Sequence, residues 1–259
     1  HVGAPVLEAE NLSIQFGGLK ALQELSFSIP EKTVFSIIGP NGAGKTTFFN
    51  IVTGIYRPTG GDVRLYGESI VGLEPSRIVE RGVCRTFQNI RLFQNLTVLE
   101  NVMIGRQLHE RTGLGDILLR TQRFRAQEAE TLDRAAEILD YVGILDDANA
   151  LAKNLPYGRQ RRLEIARALA TAPRLLLLDE PTAGMNPSES EEMVQLFQRI
   201  CEERGVCVLM IEHDMKVVMG VSQRILVLNF GRQIALGSPR EVLENEEVIT
   251  AYLGHQKVM

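Results

Sequence analysis

The sequence predicts an α/β fold: a mostly parallel sheet, an antiparallel β part near the N-terminus and an inserted helical segment. Three observations predict it. In the first and last thirds of the 259 residues, short apolar runs of strand length alternate with helical patterns, the mark of a parallel sheet built by βα repetition. The runs Leu175–Leu178 and Val206–Ile211 are apolar throughout rather than alternating, as in strands covered on both faces. From Thr97 to about Leu145 the text changes to Leu, Ala, Glu and Arg with few β-branched clusters.

Taken in order, Val6–Glu10, Leu12–Phe16 and Leu25–Ile29 read as short strands. Thr33–Ile38 is β-branched and aromatic and ends at Gly39-Pro40-Asn41-Gly42. A helix over Lys45–Thr53 stops at Gly54. Arg57-Pro58-Thr59-Gly60-Gly61 is a turn, and Asp62–Leu65 a further strand. Gln122–Val142 is predicted as an amphipathic helix with Leu132, Ala135, Ala136, Leu139 and Val142 on one stripe. After Pro187, Ser188 with Glu191 reads as a capping box. The helix behind it buries Met193, Leu196, Phe197, Ile200 and Cys201, spaced i, i+3, i+4, i+7. Val206–Ile211 and Ile225–Leu228 are strands. Ser238-Pro239-Arg240-Glu241 is a second capping box, with proline at the first helical position. No internal repeat or low-complexity linker interrupts this order.

Composition excludes several classes. With 44% hydrophobic and 23% charged residues, the chain is neither a disordered tail nor a fibrous repeat. Its 28 basic and 32 acidic residues leave a formal charge of −4, so no basic field invites nucleic acid. No apolar run approaches the ~18 residues of a membrane span, and no secretory signal is expected. Cys84, Cys201 and Cys207 sit at unrelated spacings. They read as small buried hydrophobes in a reducing compartment, with neither a disulfide frame nor a zinc site.

Two motifs carry chemistry. Gly39, Pro40, Asn41, Gly42, Ala43, Gly44, Lys45 and Thr46 fit the phosphate-loop pattern G-x-x-x-x-G-K-[ST] in full. Its glycines let backbone N–H groups turn inward around phosphate oxygens, and the following helix, with Thr47 in its first turn, points its positive end at the same anion. Lys45 adds a point charge and Thr46 a hydroxyl for Mg²⁺. A strand before and a helix after the loop complete the expected context. The second motif is Leu175-Leu176-Leu177-Leu178-Asp179-Glu180. A buried strand here delivers two carboxylates at its C-terminal end, where α/β folds bind ligands. Asp179 is suited to Mg²⁺ and Glu180 to polarising a water in line with a γ-phosphate.

Further segments fall in an order that resembles the nucleotide-binding domain of ABC transporters over almost the whole chain. On that resemblance Gln88, in Arg85-Thr86-Phe87-Gln88-Asn89, is the Q-loop glutamine and a further Mg²⁺ ligand. Leu155, Pro156, Tyr157, Gly158, Arg159 and Gln160 form the signature loop, which contacts ATP held by another subunit. Ala183, Gly184, Met185 and Asn186 form the D-loop. His213 is the switch histidine that contacts the γ-phosphate. Phe16 matches the aromatic that stacks on adenine; a core phenylalanine in an alternating strand is the other reading. The family's usual signature serine is Pro156 here, and its first glycine is Tyr157, which removes a hydroxyl from the loop. The D-loop ends in Asn186 where Asp is commoner.

The resemblance implies one domain over residues 1–259. Its ATPase core with the β part is 1–95 and 172–259, and its helical subdomain about 96–171. The Tyr157–Arg167 text, the Ala-Gly-Met-Asn-Pro segment and the end Ala251-Tyr252-Leu253-Gly254 are similar to the ATPase of branched-chain amino acid importers. That implies an ATP-hydrolysing subunit using ATP and Mg²⁺, peripheral on the cytoplasmic face of the membrane. Its partners are a second ATPase subunit, as homodimer or heterodimer, integral membrane permease subunits and, indirectly, an extracytoplasmic solute-binding protein. A related cassette for urea or a lipid-linked polymer, and a soluble ABC ATPase, stand as alternatives. Ile90, Leu92 and Phe93 either touch a permease or pack inward.

Overall fold

The computed structural model describes residues 5–86, 89–107 and 122–253. Gln88, His109 and His255 therefore lie outside the described residues. The chain divides into two compact units, one formed by His1–Arg85 with Arg174–Met259, the other by Thr86–Pro173.

The first unit holds two sheets. β1 (Pro5–Phe16), β2 (Leu19–Pro30), β4 (Gly60–Leu65) and β5 (Glu68–Ser69) form an antiparallel sheet of order β2-β1-β4-β5. β3 (Val34–Ile38), β6 (Val83–Arg85), β7 (Leu175–Asp179), β8 (Cys207–Ile211), β9 (Arg224–Asn229) and β10 (Arg232–Gly237) form the second, of order β10-β9-β3-β8-β7-β6. Its pairings are parallel from β6 to β9, and β10 closes one edge antiparallel. Every residue of β3, β7 and β8 is buried, which is why their text is continuously apolar.

Helices α1 (Lys45–Val52), α2 (Pro75–Glu80), α6 (Pro187–Arg204), α7 (Met215–Val221), α8 (Pro239–Leu243) and α9 (Glu246–Leu253) belong to the same unit. Phe27 of β2 joins the layers: its ring lies 5.7 Å from that of Phe35 on β3 and 5.2 Å from that of Phe48 on α1. Phe35, Phe48 and Phe49 are fully buried in this core.

The second unit contains α3 (Val98–Gln107), α4 (Gln122–Tyr141) and α5 (Tyr157–Ala170), with α3 packed on both others. Asn101, fully buried, ties the preceding loop to α3 by donating to the carbonyls of Phe93 and Thr97 and accepting from the Phe93 N–H.

Several expectations change. The two short N-terminal strands are one, β1, because Asn11 takes φ 48° and inserts an irregularity without ending the pairing. Asparagine tolerates this left-handed conformation, and the Asn11 N–H donates to Ser26 Oγ at 2.9 Å. β2 begins at Leu19, well before Leu25, through a comparable irregularity at Glu24, φ 51°. On α4 the buried stripe is Thr131, Ala135, Ile138 and Leu139, with Val142 just beyond the helix. Leu132 is 44% exposed. The capping box of α6 is Asn186 with Glu189, not Ser188 with Glu191. Pro187 explains the shift: proline is favoured at the first helical position, which makes the residue before it the cap. The second box, Ser238 with Glu241, stands where expected, as does the buried face of α6.

Cys201 and Cys207 are buried and Cys84 is half-buried. Burial pushes the Cys201 thiol up to about 11 and that of Cys207 to about 12, which keeps both protonated and unreactive at neutral pH.

The Asn186 cap sets a stability difference. Asn186→Ala should cost about 1 kcal/mol and lower the thermal midpoint by about 2–4 °C. Ser188→Ala should stay within about 0.5 kcal/mol. Thermal unfolding of the two variants side by side checks the assignment; equal effects would refute it.

Candidate functional site

The loop from β3 to α1 is held by its own backbone and by neighbours. The Ala43 N–H donates to the Pro40 carbonyl at 3.0 Å, and the Ala43 carbonyl accepts from the Gly231 N–H at 2.9 Å. Gly44 caps α1 at φ 106°, and a Cβ there would meet Leu22 Cδ2 at 2.5 Å and the Ala21 carbonyl at 2.8 Å. A Cβ on Gly39 would lie 2.2 Å from the Leu228 carbonyl. Glycine is thus a packing requirement as well as a conformational one. Lys45, buried, donates from Nζ to the carbonyls of Gly39 at 2.5 Å and Pro40 at 3.0 Å. Burial holds its pKa below the usual lysine value, opposed by the charges of Glu180 and Asp179.

β7 brings up the carboxylates. Asp179 is buried, and its Oδ2 accepts from Arg85 Nη2 at 3.1 Å. Arg85 also donates to Asn50 Oδ1 at 2.6 Å and lies 5.4 Å above the Phe49 ring. Glu180 follows in the left-handed region at φ 48°. Its N–H donates to the Ile211 carbonyl at 2.8 Å, so the ladder to β8 extends one residue while the side chain turns away. Glu180 Oε1 lies 2.7 Å from His213 Nε2. A carboxylate only accepts, so Nε2 carries the proton.

A third carboxylate stands beside this pair. Glu212, 3% exposed, accepts from the Thr182 N–H at 2.9 Å and the Thr182 hydroxyl at 2.6 Å on Oε1, and from the His213 N–H at 3.1 Å on Oε2. Hydrogen bonds thus run from Glu180 through His213 and Glu212 to Thr182, and the backbone through Pro181 closes the ring across the ends of β7 and β8. Beyond Thr182 the chain turns through Ala183, Gly184 and Met185 to Asn186, the cap of α6. Asp214 caps α7 through the N–H groups of Lys216 and Val217.

A cavity of about 370 Å³ gathers Phe16, Leu19, Lys20, Ala21, the loop residues Asn41 to Thr47, Glu180, Ile211, His213 and Phe230. Phe16, the whole lysine half of the phosphate loop, Glu180 and His213 thus line one space. Gly39 and Pro40 hold Lys45 from behind, and Asp179 lies one residue from the lining. The Phe16 ring is braced edge-on by Tyr56, centroids 5.1 Å apart. A larger cavity of about 600 Å³ on the antiparallel sheet shares Lys20 but includes none of the phosphate loop, Glu180 or His213.

In the second unit, Leu155 is buried, Pro156 is the extended cap of α5, and Gln160 Nε2 donates to the Leu155 carbonyl at 3.0 Å. Arg159 pairs with Asp147. Tyr157 is exposed, but its hydroxyl accepts from Arg161 Nε and Nη2 at 3.1 and 2.9 Å, and buried Arg161 pairs with Glu164 at 3.1 Å. Phe93 is exposed under the Arg167 guanidinium, 4.9 Å from the ring, whereas Ile90 and Leu92 are half-buried.

Sequence reasoning missed Glu212, Thr182, Arg85 and Phe230. Glu212 had a signal: a carboxylate directly following an apolar strand and preceding a candidate histidine. Phe230-Gly231 between two strands had the signal of a two-residue hairpin.

A phosphate loop between a buried parallel strand and a helix, with carboxylates at the end of a nearby parallel strand, defines a P-loop nucleoside triphosphatase. The chain belongs to the ABC transporter family, as one of its ATP-hydrolysing cassettes: the "ABC transporter" family model matches residues 22–183. A second model, "Branched-chain amino acid ATP-binding cassette transporter", matches residues 232–258. The chain is 48% identical to the high-affinity branched-chain amino acid transport ATP-binding protein LivG of Salmonella typhimurium, over 96% of this chain and 98% of that one. Among solved structures, the ADP conformation of MJ1267, an ATP-binding cassette of an ABC transporter, matches with a TM-score of 0.84 at 30% identity. That match covers 96% of this chain and 99% of that one. A dimeric structure of the cassette MJ0796, bound to ADP and Pi, matches with a TM-score of 0.75 at 28% identity, covering 90% and 99%.

The ring generates a prediction. Glu212→Gln keeps the shape but turns one acceptor oxygen into a donor, so an N–H of His213 or Thr182 then faces an NH₂. A buried donor left unsatisfied costs about 1–3 kcal/mol. We expect kcat for ATP hydrolysis to fall about tenfold with KM for ATP unchanged. Steady-state kinetics check this; an unchanged kcat would show that the ring does not set the geometry of Glu180 and His213.

Proposed function

We propose that this chain is the ATP-hydrolysing subunit of an importer for branched-chain amino acids, acting as a dimer of cassettes beneath separate permease subunits. The observation that carries the hydrolytic reading is the single cavity shared by the phosphate loop, Glu180 and His213. The solute reading rests on the printed function of a relative aligned over nearly both full lengths and on the C-terminal family match.

In this reading the triphosphate lies along the amides from Gly42 to Thr46, at the N-terminus of α1, whose first turn carries no acidic residue to oppose it. Lys45 exchanges its carbonyl partners for phosphate oxygens. Phe16 offers a ring face to adenine. Among the described residues no group of three His, Cys, Asp or Glu side chains forms a metal site. That fits Mg²⁺, which takes few protein ligands and relies on phosphates and water. Thr46 and Asp179, with Gln88, would hold it, and it would neutralise charge on the β- and γ-phosphates. Glu180 accepts the proton of the attacking water as the bond from γ-phosphorus to the bridging oxygen breaks. The single Nε2–H of His213 moves from Glu180 to a γ-phosphate oxygen and loses that partner when phosphate leaves.

The signature segment Leu155–Gln160 would meet the nucleotide of a second cassette. The dimeric MJ0796 neighbour supports a two-cassette arrangement. No helix among the described residues is long and apolar enough to cross a membrane, consistent with transport through partner chains. We place the chain at the cytoplasmic face, with a solute receptor on the far side.

Glu180→Gln should bind ATP, form a stable ATP-dependent dimer and lose turnover by a factor of at least about 10². Retained turnover would remove Glu180 from the role of base. Wild-type ATPase should rise more steeply than linearly with protein concentration, and a linear dependence with full activity as a monomer would overturn the two-cassette reading. With its permease in vesicles, uptake of leucine, isoleucine and valine should require ATP and Lys45. ATP-driven uptake of urea instead would overturn the solute assignment.

A further inference from the structure

The turn between β9 and β10 consists of two residues, Phe230 and Gly231, since Asn229 pairs with Arg232. Both have positive φ, 46° and 74°, the conformation of a tight hairpin turn that favours Asn-Gly. A bulky residue in this region is strained. Gly231 is required: a Cβ there would lie 2.4 Å from the Ala21 carbonyl. Nothing in the hairpin itself requires a phenylalanine before it.

A second turn of the chain shows what compensates such strain. Tyr66-Gly67, between β4 and β5, has φ 49° and 79°. There the aromatic ring lies under the Arg174 guanidinium, 3.4 Å from its centroid. Phe230 has no such cover, for 72% of it is exposed. Its position is nevertheless fixed. Gln23 donates from Nε2 to the Phe230 carbonyl at 3.1 Å and from its N–H to the Gly231 carbonyl at 2.8 Å. The Gly231 N–H donates to Ala43 of the phosphate loop at 2.9 Å. A strained and exposed phenylalanine on a backbone pinned by hydrogen bonds therefore lines the same cavity as Phe16 and the phosphate loop. Strain kept in a ligand pocket without a packing return points to the ligand.

We propose that Phe230 is a second aromatic wall for the nucleotide, contacting the purine base together with Phe16, while the phosphate loop holds the other end. Phe230 has this role on the reading that the cavity takes ATP. A ring face is indifferent to the exocyclic groups of the base, so the contact adds affinity for the base without reading which purine it is.

The test uses Phe230→Asn in the full chain. Asparagine tolerates positive φ better than phenylalanine, so the variant keeps its thermal midpoint or gains, and a loss of binding is not a loss of fold. Calorimetric titration with ATP, and competition by inorganic tripolyphosphate as a phosphate-only probe, separate the two ends of the site. Phe230→Asn should weaken ATP binding about tenfold, the scale of one base–aromatic stack, and leave tripolyphosphate unchanged; Phe230→Tyr should restore ATP binding. ATP affinity equal to wild type would overturn the assignment. So would equal weakening toward ATP and tripolyphosphate, which would mean that the turn acts only by supporting Ala43. If the wild-type chain bound no ATP, the nucleotide reading itself would fall, and this contact with it.

Discussion

The site depends on the register of three parallel strands. Ile37 of β3 pairs with Ile211 of β8, and Ile211 pairs with Asp179 of β7. The three strands therefore end at one level, and their next residues leave the sheet side by side: the phosphate loop, Glu212-His213, and Glu180. A slip of one residue in either pairing would move every side chain of that strand to the opposite face, into packing built around other side chains. It would also separate Glu180 from His213. Because all three strands are buried on both faces, that register is held by the core and not by the polar groups it positions.

Above the sheet, polar bonding takes over from packing. Three acidic side chains stand close together at the ends of β7 and β8, yet each has a different partner: Asp179 has Arg85, Glu180 has His213, and Glu212 has Thr182 with the His213 backbone. This sorting gives each carboxylate its own hydrogen-bond donors. His213 Nε2–H is one donor, so any ligand oxygen that claims it releases Glu180 Oε1. On the proposed reading, occupancy of the γ-phosphate position and freedom of the Glu180 carboxylate would be linked through this one contact. Glu212 joins the His213 backbone to Thr182, at the entrance of the turn that leads to α6.

The parts legible in the sequence were those whose chemistry needs neighbouring residues. The phosphate loop is contiguous because successive amides must face one anion, and the Leu175–Glu180 text is contiguous because one buried strand carries it. The two sheets followed from the same periodicities. The remaining functional residues act through pairs far apart in the chain: Arg85 reaches Asp179 across 94 positions and Thr182 reaches Glu212 across 30. No local pattern encodes such a pair. Where local chemistry was read and the outcome differed, a neighbour decided it. Pro187 moved the cap to Asn186, and Asn11 let two expected strands run on as one. Leu132 lies on the helical stripe by spacing, but the packed face of α4 is rotated toward Thr131 and Ile138.

The departures at Pro156 and Tyr157 follow the same logic. Proline has no N–H and no hydroxyl, and at the cap of α5 it makes no side-chain hydrogen bond, but its fixed φ, here −56°, suits the extended entry to the helix. The Tyr157 ring would be a liability at a loop tip, yet its hydroxyl is drawn back by Arg161, whose own charge is met by Glu164 inside the unit. The first turn of α5 holds no acidic side chain, and the leading amides of a helix are not used within it. On the proposed reading, the trans contact with ATP therefore passes from a serine hydroxyl to backbone amides and the helix dipole. On that reading, a signature of this kind would hold an anion by peptide geometry, which a side-chain substitution on α5 would leave in place so long as the Arg161 cluster keeps the helix start in position.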